Sequence, residues 1–131
     1  MYKERVFAPL LDLFTQVLKQ KVLAVATHCP PGHKSRKDHE YEIEGLKKII
    51  EGLGCLIRGG DSQRYREGLH QVVEAVDRHV AANRIPEHLK EDMFASRARL
   101  LTLVATCDAI DEALDLPDLL PMGRVDKGLV N

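Results

Sequence analysis

The stretch DHEYEIEGLKKIIEGLGCLI, Asp38 to Ile57, decides the fold. His39, Ile43, Leu46, Ile50, Leu53 and Ile57 recur along it at alternating steps of four and three. That spacing places one stripe along a helix, because residues three and four apart share a face. Asp38 is suited to cap the start, since its carboxylate can accept the unpaired amides of the first turn. Gly52 and Gly54 weaken the last turn, and Gly59-Gly60 end the helix. A histidine therefore heads a line otherwise made of aliphatic residues.

The same periodicity extends on both sides. Upstream, Val6, Leu10, Phe14, Val17, Leu18, Val25 and His28 read as an amphipathic helix over roughly residues 3 to 28, with Pro9 in its early turns. Val22, Leu23 and Val25 suit either state, so Lys21 to Thr27 is open to a strand alternative. Pro30-Pro31-Gly32 stops the helix, because proline biases Cys29 away from helical angles. Downstream, Asp61 or Ser62 opens a third helix with the line Tyr65, Leu69, Val72, Val73, Val76 and Val80, running to about Asn83. Ile85-Pro86-Glu87 then starts a fourth, with Leu89, Met93, Leu100, Leu103, Val104, Cys107 and Leu114 on one face, up to Leu116.

Short connections make neighbouring helices antiparallel, so the expected fold is an all-α, up-down four-helix bundle. It occupies residues 1–116, with an irregular tail over 117–131 where Pro117, Pro121, Gly123 and Gly128 break regular structure. Leu119, Leu120 and Met122 offer apolar contacts back to the bundle. The fourth helix should outrun the second, leaving Ile110 and Leu114 to be covered by a second copy. A chain of 131 residues fits one domain. Lys plus Arg number 19 against 20 Asp plus Glu, which removes the basic bias of a dedicated nucleic-acid binder. Three widely spaced cysteines, Cys29, Cys55 and Cys107, make no disulfide framework and suggest a reducing, cytoplasmic setting. Asp12, Lys19 and Lys21 interrupt the first helix as a signal peptide or membrane span.

In an up-down bundle the first and third connections share one end. His28, Cys29, His33 and His39 should meet His79 and His88 there, and imidazole with thiolate, or with carboxylate from Glu40 or Glu87, suits zinc, iron or nickel. Lys34, Arg36 and Lys37 precede a helix N-terminus, where amides and cations can hold an anion. Asp38-His39-Glu40 opening one helix and His79 late in the next resemble the hemerythrin-like pattern. That family also expects an acid at the position of Asn83 and further histidines on later helices, where this chain has only His88, so the likeness covers about half the chain. Ferritin-like di-iron sites need two Glu-x-x-His pairs, and only Glu67 with His70 occurs, at the edge of or outside the core face. Arg64 and His70 resemble the Arg and His of HEPN ribonucleases, with Tyr65 after the arginine where that class carries a polar residue. With no convincing catalytic set, the expected role is a non-enzymatic binding or regulatory module, self-associating as a homodimer or engaging a protein partner. The alternative is a metal- or cofactor-binding bundle.

Overall fold

The computed structural model describes the backbone of residues 2–114 and the side chains of residues 5–109. Its elements are four helices: α1 (Tyr2–His28), α2 (Arg36–Ile57), α3 (Gln63–Ala81) and α4 (Glu87–Leu114). No strand occurs among the described residues, and Lys21 to Thr27 is helical. The expected tail, with Leu119, Leu120 and Met122, and the side chains of Ile110 and Leu114 lie outside the described residues. None of the helices searched is long and apolar enough to cross a membrane.

Two boundaries differ from the sequence reading. Helix α2 begins at Arg36 with Ser35 as N-cap, one turn before Asp38. The Ser35 side chain makes no cap hydrogen bond; its hydroxyl meets Cys29 Sγ and His33 Nδ1 instead. Helix α3 stops at Ala81, because Asn83 takes a left-handed φ of 55° and reverses the chain, its amide closing on Val80 O and that of Arg84 on His79 O.

The helices pack in chain order, α1 on α2, α2 on α3 and α3 on α4. Contacts along α2 and α3 run in opposite senses. Asp38 meets Arg78, Tyr41 meets Glu74, Gly45 meets Gly68 and Gln71, and Gly52 meets Tyr65. Arg97–Asp77 and Arg66–Asp108 give the same antiparallel order for α3 and α4. The tightest seam is α2 on α3, and glycine makes it. Gly45, Gly52 and Gly68 are buried, so backbone rests on backbone. Gly52 is thus a packing residue and not merely a weak point in its helix. The seam also rotates the α2 stripe: Ile49 and Leu56 join Leu46 and Leu53 in the centre, while Ile43, Ile50 and Ile57 are half-buried.

Phe7 and Phe14 of α1, Tyr65, Leu69 and Val72 of α3, and Cys107 of α4 complete one core. No Cα of α1 lies within 8 Å of α4 among the described residues. The bundle is therefore open on that side, leaving an apolar groove lined by Leu10, Leu13, Phe14, Leu46, Leu100 and Leu103. Glu42 and Val76 line this groove and also the polar cleft at the end of the bundle.

Candidate metal centre

Three helices bring polar side chains to the end of the bundle where α1 stops, α2 starts and α3 finishes. His39 and Glu42 stand three residues apart on α2 and so share a face. His79 extends the α3 line Leu69, Val72, Val76 by one more three-residue step, a position otherwise given to core residues. The donor atoms of His39, Glu42 and His79 all lie within 4.8 Å of one another. The two imidazole rings are 4.4 Å apart at their centroids, tilted by 32°. Lys21 reaches in from α1, its Nζ 2.9 Å from Glu42 Oε1 and 2.9 Å from His39 Nδ1.

The electrostatics follow from burial and from this ammonium. Burial alone would raise the Glu42 pKa, but His79 and Lys21 more than offset it and hold the carboxyl below its ordinary value. His39 is pushed down to about 4, first by burial and then by the charges of Lys21 and His79, with Glu42 opposing. Asp38 is lowered chiefly by its hydrogen bond from Arg84. His79 is 5 % exposed. Its Nδ1 faces an Arg84 nitrogen at 3.3 Å, and a guanidinium can only donate. Its Nε2 stands 3.5 Å from Glu42 Oε1, close enough to favour the carboxylate but too far for a good hydrogen bond, and has no hydrogen-bond partner among the described residues. A buried polar atom is thus aimed at a carboxylate without reaching it.

The depressed His39 pKa gives the protein an acid sensitivity. Between about 4 and 6.5 the unfolded chain binds a proton at His39 that the folded protein refuses. The stability from neutral His39 is complete above 6.5 and is lost as the pH falls toward 4. Urea midpoints of chelator-treated protein should fall across that window, and His39→Gln should flatten the fall. An unchanged slope in the variant would contradict the assignment.

The other residues singled out in the sequence sit around this group and not within it. His28 is exposed and shares a small pocket with Cys29, Ser35 and His39. Cys29 is buried, 3.5 Å from Ser35 Oγ. His33 lines the cleft, but its Nδ1 accepts from the Ser35 hydroxyl at 2.9 Å and the Ser35 amide at 3.2 Å. His88 is exposed. Glu40 pairs with Arg36 and Glu87 with Lys90, so the carboxylate in the group is Glu42. The sequence reading passed over it, though its offset of three from His39 was visible. Among the loop cations, Arg36 is engaged by Glu40 and by the Cys29 carbonyl, while Lys34 and Lys37 are exposed. Arg64 pairs with Glu51 and Glu67, and His70 lies on the exposed side of α3, so these two do not form a buried site.

The group opens onto a cleft of about 450 Å³ whose lining includes Val76, Ile85, Leu89 and Met93 as well as Lys34 and Arg84. Comparison with family models, curated proteins and solved structures finds no match for the chain.

Proposed function

We propose that the protein binds a divalent transition metal through His39, Glu42 and His79, with open coordination positions facing the cleft. The observation that carries this reading is the buried Nε2 of His79, 3.5 Å from Glu42 without a good hydrogen bond, beside a second imidazole. An orphaned buried polar atom costs about 1–3 kcal/mol. Metal ligation would satisfy it. Two imidazoles and one carboxylate suit zinc or ferrous iron, and three protein donors leave room for a further ligand. Two donors on one ion are at most about 4.2 Å apart, so small side-chain rotations gather the set. Ligation through Nε2 would move the His79 proton to Nδ1, so the Arg84 guanidinium that now faces Nδ1 would have to turn away toward Asp38, its ion-pair partner.

Calorimetric titration with zinc should give one site per chain, lost in His39→Ala and in Glu42→Gln while the helical spectrum persists. Zinc heats that are unchanged by both substitutions would overturn the reading. Zinc serves as the probe, with nickel and ferrous iron as the alternatives the donor set admits.

A second reading, self-association through the open side of the bundle, is favoured by one observation. Val6, Leu10, Leu13 and Val17 recur on α1 at steps of four, three and four, and Val6, Leu13 and Val17 are 37 %, 55 % and 37 % exposed. Such a stripe is what a second helix packs against. Light scattering should then give a mass that rises toward twice the monomer with concentration, and Leu13→Glu should hold it at the monomer. A monomer at every concentration for both proteins excludes this reading.

A further inference from the structure

We infer that Lys21 is the resident cation of the His39–Glu42–His79 site, and that a divalent ion enters by exchanging with its ammonium. This rests on the metal reading above and adds what sets the affinity and selectivity of the site.

The geometry is that of a cation already bound. Lys21 Nζ lies 2.9 Å from His39 Nδ1 and 2.9 Å from Glu42 Oε1, atoms of two of the three residues. The other donor set comes from α2 and α3, and Lys21 is the charged group that α1 supplies to it. A metal would hold the same Glu42 oxygen at about 2.0–2.2 Å, which leaves no space for an ammonium on that atom, and two like charges at such range repel strongly. Lys21 can leave without unfolding its helix. Its side chain is 20 % exposed, lines the cleft, and ends a flexible four-carbon stem. Exchange keeps Glu42 compensated in both states, so the buried carboxylate never stands alone.

The exchange also selects among ions. An incoming cation must replace a charge-assisted contact to Glu42 and a hydrogen bond to His39. Ions that bind imidazole well recover both, whereas magnesium and calcium, which prefer oxygen donors, recover only one. Lys21 thereby excludes the abundant hard cations from a site whose carboxylate would otherwise attract them.

Lys21→Met keeps the stem and removes the competitor. Zinc affinity by calorimetry should tighten roughly ten- to hundredfold relative to the natural chain, the worth of the contacts the ion no longer has to displace. In the natural chain, the proton–nitrogen correlation of the Lys21 ammonium should be visible without metal and should shift or vanish with one equivalent of zinc, a readout that needs no variant to fold. Magnesium should leave it unmoved. If the natural chain binds one zinc but Lys21→Met binds it no tighter, or if the ammonium signal ignores zinc, the exchange is wrong and the metal site survives. If neither protein binds zinc, the metal reading itself falls.

Discussion

Gly52→Ala should destabilise the protein by about 3 kcal/mol or more, although alanine is the better helix former by roughly 1 kcal/mol. A Cβ built at Gly52 falls 2.2 Å from the Tyr65 amide nitrogen and 2.5 Å from its Cα. Those atoms belong to the backbone of α3 and cannot rotate away. The helices would have to part, loosening Leu53, Leu56 and Leu69 at the centre of the core. Gly68→Ala should act similarly, since its Cβ would meet Gly45 O and Ile49 N at 2.6 Å. Gly54→Ala is the control. Its Cβ would meet only the tip of Arg58 at 3.3 Å, so the helix-propensity gain should show as a small stabilisation. Urea unfolding of the three variants checks the contrast, and a stabilising Gly52→Ala would mean the α2–α3 seam is not this close.

The same glycines show where the sequence was readable and where it was not. Apolar spacing revealed the existence and order of the helices, because each long line of side chains has the period of a helix face. It could not reveal that Gly45, Gly52 and Gly68 lie on a shared contact, since a glycine contributes nothing to an apolar pattern. Ile49 and Leu56 were missed for the same reason: the close seam turns α2 about its axis, so the four-three stripe is only half the buried face. Ser35 was passed over as the start of α2 because Asp38, an equally good capping residue, stands directly before the apolar line that begins at His39. The loop instead spends the Ser35 hydroxyl on His33 and Cys29.

On the metal reading, His79→Leu should act differently on the two states of the protein. Without metal it removes a buried donor that makes no good hydrogen bond but also part of what holds the Glu42 carboxyl down, so the melting temperature should change little. With zinc it should lose the whole ligand-induced increment, which for the natural chain reaches about 2.7 kcal/mol at a hundredfold excess over the dissociation constant. A histidine kept for packing alone would give the reverse, a clear loss without metal and no change in the zinc response. Paired thermal melts in chelator and in zinc distinguish the two.

Topology was enough to bring His39 and His79 to one end of the bundle in the sequence reading. It could not rank the other histidines, because their separation depends on loop details. His28 and His88 are turned to solvent and His33 is held by Ser35. Glu42 was legible only through its offset of three from His39, and Lys21 carried no such signal. An acid and a lysine on amphipathic helices ordinarily read as surface residues, and only the depth of the cleft makes them part of the group.

The most direct measurement is the anomalous difference density at the zinc edge for crystals grown with one equivalent of zinc. The account predicts its strongest peak about 2.0–2.2 Å from a nitrogen of His39, a nitrogen of His79 and an oxygen of Glu42, with the Lys21 ammonium withdrawn. A principal peak instead at Cys29, His28, His33 or His88, or zinc-grown crystals with no peak between His39 and His79, would contradict it.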